Sequence, residues 1–252
     1  MAVQVQNLRA LLLRDLMLRY GRDNLGFVWM VLEPILLTGG VLLIWPLLGA
    51  SKNGVRVVEL VLTGYMPLTL WRHLSNHGVG LLRASVGLLF HRRVSLNDIV
   101  LCRMLLEFLG VSIALVVVWS VLSVFEIIGE VKNYPALLGG WLMMGWIGLA
   151  CGALLAALTE YSHTAERFVQ PFQYLIIPIS GAFFLVDWLP EWGRKFVLLN
   201  PLVHCYEVFR FGYFGEAVPT HFDVAYFSAV CFALSFMAVV ALKAARVRMQ
   251  DA

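Results

Sequence analysis

Six long apolar stretches constrain this sequence more than any other feature. They cover residues 27–48, 57–74, 99–125, 135–158, 169–185 and 224–242. A helix needs about 20 mainly apolar residues to cross about 30 Å of hydrocarbon, and each stretch comes close to that length. The chain is 60% hydrophobic and 14% charged, whereas soluble domains are roughly 45–50% apolar and about 25% charged. The sequence therefore predicts a single domain over 1–252, an all-α integral membrane protein with six transmembrane helices.

The basic residues predict the orientation of this multi-pass chain. Six spans place both termini on one side, and thirteen of the 19 Lys and Arg residues fall in the segments of that side, against six on the other. Because cytoplasmic loops carry the excess of Lys and Arg, we expect both termini in the cytoplasm. The net charge of +3 comes without a polybasic tail, which argues against nucleic acid as a partner.

Two amphipathic segments are predicted on the cytoplasmic side. Residues 1–24 favour a helix lying in the membrane interface. Between the second and third spans, apolar residues recur at i, i+4, i+7 and i+8 and lead into a basic end, which favours a short helix. It either rests on lipid headgroups or docks on a cytoplasmic partner. The predicted contact residues are Leu82, Arg83, Val86, Leu89, Phe90, His91 and Arg92.

The fifth apolar stretch and the segment after it do not fit a plain helical hairpin. The fifth stretch is short and contains Pro171, Pro178 and Gly181, which predicts a broken span. Residues 187–222 mix aromatic and charged residues, a composition typical of the membrane interface. We interpret 187–222 as an amphipathic outer segment that forms part of a periplasmic gate.

Motifs for enzymatic chemistry are absent from the sequence. No Gly-Lys dipeptide occurs, which excludes a P-loop, and there is no zinc-protease helix or nucleophile elbow. His73 and His77 are four residues apart, but the sequence places no third ligand nearby, so no metal site is expected. Among the charges in the spans, Arg103 and Glu107 are expected to pair, while Glu59 has no such partner on its helix.

Two constellations of residues carry a resemblance to a known family. The first is Arg19-Tyr20-Gly21-Arg22, Leu25-Gly26, Trp29 and Glu33-Pro34. The second is Ser180-Gly181, Phe183-Phe184, Leu189-Pro190, Trp192, Asn200-Pro201, His204, Glu207 and Arg210. In this order, and with these span and loop lengths, the chain resembles the ABC-2-type permeases that export capsular polysaccharide.

The resemblance implies a function and a set of partners. It implies a non-catalytic permease subunit in the bacterial inner membrane that exports a lipid-linked, anionic polysaccharide. The chain would form a homodimer around a channel, bound to two copies of a separate ATPase subunit that holds ATP and Mg, while this chain holds no cofactor. Periplasmic and outer-membrane export proteins would complete the assembly. The helix 82–90 would be the coupling helix in the ATPase, and the loop 159–167 a second contact.

A channel for a long hydrophilic polymer should bind each segment weakly, which aromatic faces and scattered charges can do. The candidate path residues are Trp29, Glu33, Tyr65, Trp71, Arg72, Phe183, Phe184, Trp188, Tyr206 and Arg210. An ordinary aromatic belt at the membrane interface would account for most of the same residues without any substrate.

Three alternative functions stay open at this point. The substrate could be another lipid-linked glycan such as O-antigen or teichoic acid. A proton-driven secondary carrier would use Glu33, Glu59 or Glu107 as its titrating group. An intramembrane enzyme acting on lipid-linked sugars would use Glu33 and His73 as acid and base.

Overall fold

The structure is a computed structural model that describes residues 56–85 and 95–251, together with Leu32, Leu36, Gly39 and Gly40. The predicted interfacial helix 1–24, most of the first span and residues 86–94 lie outside the described residues. So do five of the predicted contact residues, Val86, Leu89, Phe90, His91 and Arg92, and two of the path residues, Trp29 and Glu33.

The described residues contain α-helices and short 3₁₀ turns, and no strand occurs among them. The helices are α1 (Val57–Gly78), α2 (Leu81–Ala84), α3 (Leu96–Val124), α4 (Tyr134–Tyr161), α5 (His163–Ile176), α6 (Glu191–Val197), α7 (Pro201–Phe214) and α8 (Val224–Asp251). Within these ranges, three helical segments are long and apolar enough to cross a membrane: Leu96–Val124, Tyr134–Tyr161 and Val224–Met249.

The starts of the two central spans follow from local sequence. Ser95 and Asp98 form a capping box before α3, with each side chain accepting a hydrogen bond from the other residue's backbone N–H, at 3.1 and 3.2 Å. Before α4, the Asn133 side chain accepts from the backbone N–H of Ala136, and Pro135 occupies the first turn. These caps are local, and the start of α4 is also held by the backbone N–H of Asn133, which donates to the Gly212 carbonyl at 2.8 Å.

Helix α4 lies at the centre of the bundle and packs against α1, α7 and α8. Its small residues permit the close approach: a side chain at Gly140 would meet the backbone of Phe209 on α7. Gly148 and Gly152 lie against Leu74 of α1. These small residues therefore serve packing within the chain.

Large apolar side chains cover the outward surfaces of two spans. Val116 on α3 is 62% exposed and Phe236 on α8 is 71% exposed, and aliphatic neighbours on both helices are exposed as well. Such a surface is unstable in water and suits hydrocarbon or another apolar protein surface. This exposure agrees with the prediction of a membrane protein.

The fifth apolar stretch is interrupted, as its prolines predict, and the interruption ends the helix. Helix α5 stops at Ile176, a 3₁₀ turn covers Ile177–Ile179, and Gly181 adopts a positive φ of 92°. Pro178 has no N–H to continue the helical hydrogen bonds, and glycine tolerates the left-handed turn that follows. The break that the sequence predicts therefore lies at Pro178, and residues 180–185 are irregular.

The segment 187–222 divides into an exposed helix and a buried one. On α6, Trp192 is 77% exposed and Phe196 is 61% exposed, as expected of residues at an interface. On α7, by contrast, Tyr206, Phe209 and Arg210 are fully buried in the core. Helix α7 thus packs against α4 inside the bundle, and the location of the segment at the outer interface stays a prediction.

Candidate functional site

Buried charged side chains occur near both ends of α1, and they form two clusters of different construction. We call the end at Val57 outer and the end at Gly78 inner, following the predicted orientation. The outer cluster consists of Glu207 and Arg210 with their neighbours on the 180–185 turn. The inner cluster consists of His73, His77, Arg103 and Glu107.

The Arg210 side chain, which is fully buried, binds the irregular turn after α5. Its Nη1 donates to the carbonyl oxygens of Gly181 at 2.8 Å and Phe184 at 2.6 Å, and its Nη2 donates to Ala182 at 2.9 Å. The guanidinium carbon lies 5.7 Å from the ring centre of Tyr206. Because the turn breaks the helical hydrogen bonds, its carbonyls need other donors, and the planar guanidinium supplies several at once.

Neighbouring side chains extend the outer cluster to the start of α8. Glu207 accepts a hydrogen bond of 2.8 Å from the backbone N–H of His221. Burial raises the pKa of Glu207, which lies in the segment between the predicted spans, and the charge of Arg210 opposes that rise. His204 accepts from the Asp223 N–H at its Nδ1, so its Nε2–H donates to the Leu198 carbonyl, both at 2.9 Å.

Glu59, one of the candidate titrating groups, lies in a third set of contacts at the outer end of α1. Its carboxylate is 3.1 Å from the Arg56 guanidinium and accepts a hydrogen bond of 3.0 Å from the Gly129 N–H. The Tyr213 hydroxyl accepts from the same N–H at 3.0 Å. The partners of Glu59 therefore lie outside its own helix, since Arg56 precedes α1 and Gly129 follows α3.

At the inner end, Arg83 ties α2 to the junction of α4 and α5. It lies 3.7 Å from the Glu160 carboxylate and 3.2 Å from that of Glu166, and it donates to the Thr159 carbonyl. The Gly80 N–H donates to the Thr159 hydroxyl at 3.1 Å. The two segments predicted to contact an ATPase, 82–90 and 159–167, thus touch each other where the structure describes them.

Leu82 does not lie on a surface that a partner could contact, as the sequence predicts it to. It is fully buried in the core of the chain and therefore holds α2 in place, so the interpretation of Leu82 as a contact to a partner is wrong. The helix α2 itself covers four residues, and Ser85 ends it. A backbone carbonyl and two carboxylates of the same chain surround Arg83.

The inner cluster joins two helices through one carboxylate. Glu107 of α3, which is fully buried, lies 3.1 Å from the Nε2 of His77 and 3.7 Å from the Nδ1 of His73. Arg103 lies one turn earlier on α3, with its Nε 3.8 Å from the same carboxylate. The expected pairing of Arg103 and Glu107 is confirmed. The expectation that the two histidines lack a third ligand is wrong, because α3 brings Glu107 to them.

The candidate path residues that the structure describes do not gather into one wall within the single chain. Phe183 and Phe184 lie on the turn that Arg210 holds, beside Tyr206, while Arg72 lies toward the inner end with its guanidinium 5.5 Å from the Tyr174 ring. The described candidates fall into a buried and a half-buried group: Tyr65, Trp71, Tyr206 and Arg210 are buried, and Arg72, Phe183, Phe184 and Trp188 are half-buried. Their role along a substrate path stays a prediction.

Sequence reasoning missed two features of these clusters. One is the use of Arg210 as a donor to three carbonyls, for which the prolines and glycine of the fifth stretch were an available signal. The other is the meeting of Glu107 with the histidine pair, for which no local signal exists. Both depend on which helices become neighbours.

Comparison with known proteins shows similarity to one family of transporters over most of the chain. The family model for the ABC-2 type transporter matches residues 6–214. The capsule polysaccharide export inner-membrane protein BexB of Haemophilus influenzae is 33% identical over 244 residues, covering 96% of this chain and 92% of the relative. The CtrC protein of the same description from Neisseria meningitidis serogroup A is 35% identical, covering 87% and 83%. The polysialic acid transport protein KpsM of Escherichia coli is 29% identical, covering 87% of each chain.

Proposed function

Because the chain belongs to the ABC-2 type transporter family, we propose that it is the permease subunit of an exporter that moves capsular polysaccharide across the bacterial inner membrane. The observation that carries this proposal is the similarity to BexB, which extends over 92% of that relative. The name of BexB states that it exports capsule polysaccharide. A lipid-linked, anionic polymer is the substrate that we propose. The described spans, with their apolar outward faces, support a location in the bilayer.

The proposed energy source is a separate ATPase subunit that binds ATP and Mg. The sequence has no Gly-Lys phosphate cradle, so an ATP-driven exporter of this kind would depend on a partner chain. We place two ATPase copies beneath a homodimer of this chain, with both termini in the cytoplasm, and export proteins of the periplasm and outer membrane beyond it.

The inner end of the bundle supports a route for the mechanical signal. Residues 83–92 would contact the ATPase, and the described start of this segment is fixed to the junction of α4 and α5 by Arg83. Because α4 packs against α1, α7 and α8, a displacement of α2 would reach the centre of the bundle directly. Helix α7 ends this route at the outer cluster, where Arg210 holds the interrupted fifth stretch.

Deletion and complementation in the native host test the proposal. Loss of this chain should leave polysaccharide inside the cell and none on the surface, and restoring the chain should return surface polymer, measured by staining intact and lysed cells. A deletion strain that keeps normal surface capsule would contradict the proposal. Accumulation of a different lipid-linked glycan instead would favour the alternative permeases for O-antigen or teichoic acid.

A second experiment separates the ATP-driven exporter from the proton-driven carrier. Purification of the chain in mild detergent should bring down an ATPase at matching abundance. Vesicles that contain this chain alone should not transport polymer under a proton gradient, and vesicles with the co-purified ATPase should transport it on addition of ATP. Uptake by the chain alone would instead support the carrier.

A further inference from the structure

We propose that His73 and His77 of α1 and Glu107 of α3 form a binding site for a divalent transition-metal ion of the zinc type. The proposal concerns the fold of this chain and does not depend on its transport function. Two imidazole nitrogens and one carboxylate oxygen are a ligand set that zinc commonly takes in proteins. The two histidines supply ligands from one face of a helix at i and i+4, and the carboxylate arrives from a second helix.

The distances among the three side chains suit a small ion. The candidate ligand atoms all lie within 4.8 Å of one another. The His77 Nε2 is 3.1 Å from one oxygen of Glu107, and the His73 Nδ1 is 3.7 Å from the other. Metal bonds of about 2.0–2.1 Å in tetrahedral geometry separate ligand atoms by about 3.3 Å. The two distances to Glu107 bracket that value, and side-chain rotations would bring all three ligand atoms, which lie within 4.8 Å of one another, around one ion.

The backbone orients one imidazole for coordination. The Nδ1 of His77 lies 2.9 Å from the carbonyl oxygen of His73, so a proton on Nδ1 donates to that carbonyl. This tautomer leaves the lone pair of Nε2 directed at the position between the two helices. Metal-binding histidines characteristically donate their second ring nitrogen to a carbonyl or carboxylate in this way.

Access and coordination number also fit. Glu107 is fully buried, while the side chains of His73 and His77 are 15% and 32% exposed. Both histidines line a cavity of about 200 Å³ together with Tyr65, Thr69, Arg72 and Asn76. Three protein ligands leave a fourth coordination position, and the cavity gives room there for a water molecule and a path for the ion.

Arg103 opposes metal binding and thereby provides a test. Its Nε lies 3.8 Å from the Glu107 oxygen that also faces His77. A cation at the site would share the carboxylate with this guanidinium and be repelled by it. Removing the positive charge should therefore tighten metal binding, whereas a change that merely disturbed local packing would weaken it.

The experiment uses the full chain, purified in detergent micelles, stripped with a chelator and titrated with Zn²⁺ in competition with a chromophoric chelator. We expect one Zn²⁺ per chain. Loss of an outer hydrogen-bond partner alone typically weakens a metal site about 10- to 100-fold, so His77→Gln and His73→Gln should each weaken binding by at least that factor. His221→Gln, at the outer end, is the matched control and should bind like the unaltered chain.

Two further readouts separate a metal site from a hydrogen-bonded cluster. Zn²⁺ should raise the melting temperatures of the unaltered chain and of His221→Gln by the same amount, and that of His77→Gln by less, because the ion ties α1 to α3. Arg103→Gln should bind Zn²⁺ several-fold more tightly. Absence of saturable one-to-one binding, or unchanged affinity in both His73→Gln and His77→Gln, would overturn the proposal.

Discussion

The outer and inner clusters both bury charge inside the bundle, yet they use it differently. At the outer end, the hydrogen bonds of Arg210 end on three backbone carbonyls. At the inner end, Glu107 faces three side chains, two of them imidazoles, beside a cavity. The two sites lie along one helix, since Gly64 of α1 packs against the turn that Arg210 holds and His73 lies about 14 Å farther along the axis.

The charge of Arg210 at the outer end maintains the fold, whereas the charges at the inner end are available for binding. A guanidinium that donates to three backbone carbonyls compensates for an interrupted helix, and moving it would leave those carbonyls without their donors. A carboxylate among imidazoles can bind an ion together with them, and no backbone hydrogen bond has to break. Substitutions at the two ends should accordingly differ in their effect on stability.

The largest loss of stability is expected for Arg210→Ala. The change removes the donors for the carbonyls of Gly181, Ala182 and Phe184. It also leaves Glu207 without its nearby positive charge. Removing one member of a buried charged set costs about 3–5 kcal/mol, and we expect a fall of that size in the free energy of unfolding in micelles. Arg246→Ala, at an exposed position on α8, is the control. Equal stability of the two variants would show that Arg210 does not maintain the fold.

The next effect concerns the packing of α7 on α4, which places the outer cluster. Gly139 and Gly140 are adjacent, but an added methyl group would meet the backbone of Phe209 at Gly140 and nothing within 4 Å at Gly139. Gly140→Ala should therefore destabilise by about 1–3 kcal/mol through overpacking. Gly139→Ala should be neutral or stabilising by up to about 1 kcal/mol, since alanine favours the helix. Thermal melting of this pair measures the difference, and similar melting temperatures would contradict the close contact.

A smaller effect is expected where the outer loop between α3 and α4 is attached. The Tyr213 hydroxyl accepts from the Gly129 N–H at 3.0 Å. Tyr213→Phe removes that hydrogen bond and should lower the free energy of unfolding by about 1 kcal/mol. Tyr134→Phe, whose residue is 63% exposed, should have no measurable effect. If only Tyr134→Phe lowered the free energy of unfolding, the stabilising hydrogen bond would not be the one assigned to Tyr213.

The smallest effect on stability is expected at the inner end, for Arg83→Ala. Its ion pairs with Glu160 and Glu166 are partly exposed, with 29% of the Arg83 side chain accessible. Pairs of this kind contribute about 0–1 kcal/mol. If the proposed coupling is correct, surface polysaccharide should nevertheless fall strongly while the amount of chain in the membrane stays normal. Normal export by this variant, with Arg246→Ala as reference, would exclude Arg83 from the coupling route.

Local pattern was sufficient for some elements because their causes are local. The capping box at Ser95 and the asparagine and proline before α4 lie within a few residues of the helix starts they fix. Pro178 and Gly181 likewise predict the break in the fifth stretch. The burial of α7 was not predictable in the same way, because its mixed composition is equally typical of an interfacial helix.

By itself, the sequence determined that this is a membrane protein, where three of its long apolar helices lie, and that its fifth stretch is broken, since hydropathy and proline act over neighbouring residues. Only the tertiary structure decided that Leu82 is buried, that Arg210 satisfies the broken turn and that Glu107 meets His73 and His77. Those outcomes depend on which helices pack together, because contacts between residues far apart in the chain leave no periodic trace in it.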